Sequence, residues 1–252
     1  MRASNRSTPH PAAHKADFLI VQTGSTLPSV RARHGDFPEW FRRGLRLRRD
    51  EVNVVDAERD ALPPAGAYAG VVVTGSPAMV SERLDWSERA AQWLAQTIDA
   101  GSAVLGVCYG HQLLAHALGG RVDYHPNGRE VGTVAIERLP DSDDDALFAN
   151  APQRFAAHVS HQQSVLDLPA GARVLARSAH DPHHAVRYAP RAWGLQFHPE
   201  FSAEIMRGYL DARRPARNGN CPQACCVDSG CAPAPFARRL LGRFRAIALA
   251  AR

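Results

Sequence analysis

Ala103-Val104-Leu105-Gly106-Val107-Cys108-Tyr109-Gly110-His111-Gln112-Leu113-Leu114 contains a short apolar strand, a Gly-x-Cys-x-Gly turn and the start of a helix. A strand that passes abruptly into a helix lifts one side chain clear of the sheet and sets it at a helix N-terminus. The two glycines let the chain bend sharply without a Cβ clash. Free N–H groups and the dipole at that helix end favour a thiolate over a thiol. Cys108 is therefore a candidate nucleophile. The competing expectation is a plain core residue, since cysteine is among the side chains most often buried.

The same alternation of apolar runs and helical spacing continues on both sides. Residues 17–23, 52–55, 68–74 and 103–107 are predicted strands, and residues 37–47, 87–99 and 109–118 predicted helices, the last stopped by Gly119-Gly120. That order predicts an α/β fold with a doubly wound, mostly parallel sheet. Beyond Gly120, residues 129–139, 155–159, 172–177, 184–188 and 192–197 read as strands joined by turns, an added antiparallel β-rich portion. A helix follows over 202–213, then a Pro- and Cys-rich linker over 214–235. A final amphipathic helix over 236–250 carries Leu240, Leu241, Phe244, Ile247 and Ala248 on its apolar side. The expected division is a flexible extension over 1–16, the main domain over 17–213, and linker plus helix over 214–252.

Hydrophobic residues make up 45% and charged residues 22% of the 252, the proportions of a globular protein in water. No apolar run approaches the roughly 20 residues that span a bilayer, and residues 1–16 lack the apolar core of a secretory signal. The expectation is a cytoplasmic protein with no membrane partner. The net charge of +5 does not predict nucleic-acid binding, because Lys15 is the only lysine and the basic run over 42–49 has no interleaved aromatics. Cys108 stands apart from Cys221, Cys225, Cys226 and Cys231, which crowd into eleven residues without paired C-x2-C spacing. That cluster reads as a variable loop, with zinc or a disulfide as the alternatives. His180-Asp181-Pro182-His183-His184 reads as a polar turn rather than a metal site. No cofactor is expected.

A cysteine nucleophile needs a base and a group that orients the base. Gly194-Leu195-Gln196-Phe197-His198-Pro199-Glu200 offers both, because alternate residues of an extended chain share a face and bring His198 beside Glu200. Donors for an oxyanion are expected from the Tyr109 amide and from the Gly75-Ser76-Pro77 turn. Both turns, with the loop after Thr23, end predicted parallel strands, where chemistry in such sheets collects.

Three segments together resemble the signature of the class I glutamine amidotransferases: Gly106-Val107-Cys108-Tyr109-Gly110-His111-Gln112, Gly75-Ser76-Pro77, and Gln196-Phe197-His198-Pro199-Glu200. The nearest flavour is the amidotransferase domain of GMP synthase and its free-standing relatives, over about residues 17–213. The resemblance implies a flavodoxin-like fold and a Cys108–His198–Glu200 triad that cleaves the glutamine carboxamide through a γ-glutamyl thioester. It also implies that Gln112, Ser160, His161 and Gln162 line the glutamine pocket, and that Tyr109, Gly75 and Ser76 form the oxyanion hole. Gly75-Ser76-Pro77 departs from the Gly-Gly-Pro common in the family, while keeping a backbone N–H. The resemblance brings no ATP-pyrophosphatase module and no Gly-x-x-x-x-Gly-Lys-Ser/Thr loop with it. A separate synthetase subunit is the expected partner for released ammonia. Two alternatives keep the same residues: a γ-glutamyl peptidase, and a catalytically retired regulatory or binding subunit.

Overall fold

The computed structural model describes residues 16–213 and 231–250. In chain order the elements are β1 (Phe18–Gln22), α1 (Pro28–His34), α2 (Phe37–Gly44), β2 (Val52–Asp56), β3 (Gly70–Val73), α3 (Asp85–Asp99), β4 (Ala103–Val107), α4 (Tyr109–Ala117), β5 (Arg121–Tyr124) and β6 (Glu130–Arg138). They continue with β7 (Arg154–His161), β8 (Gln163–Asp167), β9 (Arg173–Arg177), β10 (Ala185–Ala189), β11 (Ala192–Leu195), α5 (Ala203–Arg213) and α6 (Pro235–Leu249). Among the described residues no helix is long and apolar enough to cross a membrane.

Nine strands form one sheet in the order β2-β1-β3-β4-β11-β10-β9-β6-β7. The pairs from β2 to β11 are parallel, and those from β11 to β7 antiparallel. This is the doubly wound sheet with an antiparallel extension that the sequence predicts. The central parallel strands β3 and β4 are apolar and buried throughout because both faces are covered, whereas edge strand β2 exposes Asn53 and Val54. Phe18, Ile20, Val72 and Leu105 point to one face, where Phe41 of α2 and Leu240, Leu241 and Phe244 of α6 meet them. Leu19, Val21, Val71, Val73 and Val104 point to the other, against Ala90 and Leu94 of α3 and Leu113 and Leu114 of α4. The apolar side of α6 thus packs on the sheet rather than standing unpartnered.

Several elements differ from the sequence reading. Helix α1 has only Val30 buried, so its apolar period is too weak to register. Strand β5 is mostly exposed and polar, and is held by antiparallel pairing to β8. Helix α2 stops at Gly44, three residues early, because Arg46 turns into the left-handed region at φ 56°. Strand β11 stops at Leu195, so His198 and Glu200 sit on a turn beyond it. Cys221, Cys225 and Cys226 lie outside the described residues. The Cys231 thiol donates to the Ala203 carbonyl at 2.7 Å.

Candidate active site

Cys108 lies between β4 and α4 with φ 54° and ψ −104°. The left-handed conformation therefore falls on Cys108 itself, not on a glycine, at a strain of about 1–3 kcal/mol. The flanking glycines serve close approach instead. A Cβ on Gly106 would stand 2.3 Å from the Gly110 carbonyl oxygen, and one on Gly110 would stand 2.4 Å from that of Val73. Their absence lets the first turn of α4 sit directly on β3 and β4. Two backbone hydrogen bonds fix the turn: Cys108 N–H to the Leu195 oxygen at 2.8 Å, and Gly110 N–H to the Thr74 oxygen at 3.1 Å.

The turn after β11 brings His198 to Cys108. The His198 backbone N–H donates to the His158 carbonyl at 2.8 Å. Its Nδ1 lies 2.7 Å from Glu200 Oε1, which leaves the other ring nitrogen for the Cys108 thiol. The expected neighbourhood of base and carboxylate is present, reached through a turn rather than along an extended strand. The imidazole stacks on Phe201 at 4.0 Å between centroids and lies parallel to Phe37 of α2 at 6.2 Å. A Gly75 Cβ would come within 3.1 Å of the same ring.

Burial pushes the Cys108 thiol up, but the charge of His198, its hydrogen bond and the charge of His161 outweigh it, leaving the thiol below its ordinary value. Burial lowers His198, yet Glu200 and Cys108 raise it further than burial depresses it. The pair therefore favours thiolate and imidazolium, the state of an activated cysteine.

The Gly75 carbonyl accepts from the hydroxyls of Thr23 at 3.1 Å and Thr74 at 3.0 Å. A trans peptide whose oxygen is held that way sends the Ser76 N–H in the opposite direction. Tyr109 is the first residue of α4, so its N–H has no intrahelical acceptor. Its side chain is anchored separately, Tyr109 Oη to Ser87 Oγ at 2.6 Å.

Cys108, Tyr109, Ser76, Gln112, Ser160, His161 and Gln162 all line one cavity of about 200 Å³, together with Met79, Arg129, Gln163 and Arg213. A smaller cavity of about 50 Å³ meets the first at Cys108, Ser76 and Ser160, and adds Thr26, Phe37 and Tyr209. Ser160 Oγ is buried with no hydrogen-bond partner among the described residues, a group a bound polar molecule would satisfy. The Gln112 and Gln162 side chains are each engaged through one amide atom. The Gln112 amide nitrogen donates to the Gln163 carbonyl at 2.7 Å and to Gln196 Oε1 at 3.0 Å. Gln162 Oε1 accepts from Arg129. His161 has both ring nitrogens bonded to protein, so hydrogen bonding to a ligand is closed to it.

The histidine tract at 180–184 is the expected polar turn before β10, and it is largely buried. Asp181 and His184 are fully buried, and His184 Nε2 and His161 Nε2 each lie 2.9 Å from Glu130 Oε2. These three bring ligand-type atoms within 4.8 Å of one another, but hydrogen bonds within the trio use those atoms, and we read a histidine–carboxylate network rather than a metal site. The sequence reading missed Arg129, Gln163 and Arg213 at the cavity, and Thr23 and Thr74, which hold the Gly75 carbonyl. Thr23 and Thr74 stand just past β1 and β3, where the strand-end rule points. Glu130 carried no signal, since its partners lie 31 and 54 residues away.

At the strand ends of this mixed sheet a strained cysteine elbow, a buried histidine–carboxylate pair and a polar cavity lie together. The chain belongs to the class-I glutamine amidotransferase family, whose model matches residues 34–210. It is 41% identical over 161 residues to GMP synthase [glutamine-hydrolyzing] of Aeropyrum pernix, covering 62% of this chain and 29% of that protein. It therefore spans under a third of that relative. It is 29% identical to gamma-glutamyl peptidase 4 of Arabidopsis thaliana, over 64% of this chain and 65% of the peptidase. Among solved structures, a glutamine amido transferase from Methylobacillus flagellatus superposes with a TM-score of 0.70 at 21% identity, covering 94% of both chains. A GMP synthase subunit protein from Thermoplasma acidophilum does so at 0.65 and 18% identity, over 95% of this chain and 96% of that one.

Proposed function

We propose that the chain hydrolyses the side-chain carboxamide of glutamine to glutamate and ammonia. The observation that carries this reading is that Cys108 and His198 line the same small cavity, with Glu200 held against the far ring nitrogen of His198. The Cys108 thiolate attacks the carboxamide carbon, and the oxyanion is met by the Tyr109 N–H and the N–H groups of Gly75 and Ser76. The C–N bond breaks as His198 gives its proton to the departing nitrogen, leaving a γ-glutamyl thioester. Water then adds, its proton passing to His198, and the C–S bond breaks to release glutamate. Glu200 keeps the imidazole in the required tautomer. Ser160, Gln112 and Gln162 hold the substrate's polar ends.

Incubation with glutamine should yield glutamate and ammonia, with Cys108→Ala inactive. Absence of turnover, alone and with a candidate synthetase, would reject the reading. The family membership and the subunit-type neighbour support a separate synthetase as the consumer of ammonia. A second reading is favoured by coverage: the match to gamma-glutamyl peptidase 4 takes in 65% of that protein. It keeps the thioester and changes the leaving group to the amine of a γ-glutamyl peptide. A panel of γ-glutamyl peptides beside glutamine decides between them by kcat/KM.

A further inference from the structure

Outside the Cys108–His198–Glu200 line, the densest buried polar network surrounds Glu130. Ser178 Oγ lies 3.0 Å from Glu130 Oε1. That hydroxyl already accepts from the backbone N–H groups of His180 at 3.1 Å and Asp181 at 3.0 Å. Its own hydrogen is therefore the one that faces Glu130. On Oε2 the carboxyl meets His184 and His161, each at 2.9 Å. Three donors around one buried carboxyl group favour its ionised form.

His161 is then bounded by acceptors on both sides. Its Nε2 faces the Glu130 carboxylate, and its Nδ1 lies 3.0 Å from the Gln163 carbonyl oxygen and 3.4 Å from the Ser164 hydroxyl, whose hydrogen goes to Asp181. A neutral imidazole has one N–H and one lone pair, so one of these contacts would set lone pair against lone pair in a buried side chain. Two N–H groups satisfy both. His184 differs, because its Nδ1 has no partner among the described residues and a single Nε2–H suffices.

We propose that His161 is a fixed imidazolium, locked by Glu130 and the Gln163 carbonyl, and acts as a positioning residue that holds a second positive charge beside the Cys108 thiolate. It lines the same cavity as Cys108 without hydrogen bonds to offer a substrate. The assignment deepens the proposed thioester chemistry and rests on Cys108 being its nucleophile. His198 loses its proton to the leaving group in each cycle, whereas His161 keeps its own. The charge on the His161 side therefore persists through the step in which the thioester forms. The charged and titratable groups around His161 are Glu130 on β6, His125 before it, Asp181, His180 and His184 before β10, Cys108 and His111 at the start of α4, and Arg129 and Arg213 across the cavity. Burial alone would lower His161, but Glu130, Asp181 and Cys108 raise it above its ordinary value.

Two measurements test this without glutamine, so they stay independent of the hydrolase reading. Nitrogen-15 spectra of the intact protein near pH 7.5 should show both His161 ring nitrogens protonated, and one unprotonated nitrogen would overturn the assignment. In the second, iodoacetamide alkylation of Cys108 is followed against pH. Glu130→Gln and His161→Gln should each move the acid limb up by about one pH unit, roughly tenfold slower alkylation below it. His184→Gln, which contacts the same carboxylate but does not line the cavity, should leave the limb in place. Equal shifts in all three folded variants, or none in His161→Gln, would refute the role. If the Glu130 variant does not fold, the spectra of the native protein still decide.

Discussion

Gly110→Ala tests the elbow most severely for the smallest chemical change. The added Cβ would lie 2.4 Å from the Val73 carbonyl oxygen and 2.8 Å from the Val73 Cβ, atoms of strand β3 that have no slack. Restoring ordinary contact needs the first turn of α4 to lift by about 1 Å, since carbon–oxygen and carbon–carbon contacts relax only near 3.5 Å or beyond. Overpacking of this kind costs about 1–3 kcal/mol, partly offset by alanine's advantage of about 1 kcal/mol over glycine inside a helix. The net loss should be about 0–2 kcal/mol, a fall in Tm of at most roughly 8 °C in a domain of this size. The catalytic loss should be far larger. Lifting the turn stretches the Gly110–Thr74 hydrogen bond and moves Cys108 away from His198, and a misplacement near 1 Å costs on the order of 100-fold in rate. Glutamate release gives kcat, and thermal unfolding gives the stability change. Gly242→Ala on α6, where a Cβ meets nothing within 4 Å, is the control and should retain full activity. A Gly110→Ala enzyme with native kcat would refute the claim that close helix–sheet packing positions the nucleophile.

Glu200→Gln keeps the shape of the His198 contact but loses the charge that orients and supports the imidazolium, so kcat should fall on the order of 10³-fold with little change in KM; steady-state kinetics check this. The lowered Cys108 thiol and raised His198 set the sign of the pH profile. As pH falls through the depressed thiol value the thiolate is lost, and as pH rises through the elevated imidazole value the acid is lost, so kcat/KM should form a plateau with its acid limb below an ordinary thiol value and its alkaline limb above an ordinary imidazole value. A single rise centred on an ordinary thiol value would contradict it. Ser160→Ala removes a buried hydroxyl that has no partner among the described residues, so Tm should stay level or rise while KM for glutamine increases several-fold, about 1 kcal/mol of binding.

The parallel half of the sheet was legible because strands covered on both faces read as apolar runs, and Gly106 to Gly110 marked the one sharp turn. Cys108, His198 and Glu200 could be picked out as candidates from sequence because each ends or follows a strand. The reasons were less accessible than the residues. Glycine at 106 and 110 looked like bend chemistry, and is helix–sheet contact, while the bend's strain falls on Cys108. His198 and Glu200 were expected side by side on an extended strand, and meet across a turn. Polar strand β5 and the single-buried-residue helix α1 left no period to read. The Glu130 network joins residues from β6, β7 and the turn before β10, so only tertiary structure assembles it. His161 illustrates the cost: its place at the cavity was expected, but the engagement of both its nitrogens was invisible in the chain.

A γ-glutamyl thioester on Cys108 is the centre of the proposed chemistry. Mixing the protein with glutamine, quenching in acid within the first turnover and mapping peptides by mass spectrometry would test it directly. A glutamyl adduct should form on the Cys108 peptide, decay as glutamate appears, and be absent from Cys108→Ala. Glutamate formed by Cys108→Ala at the native rate, or an adduct on any other residue, would contradict it.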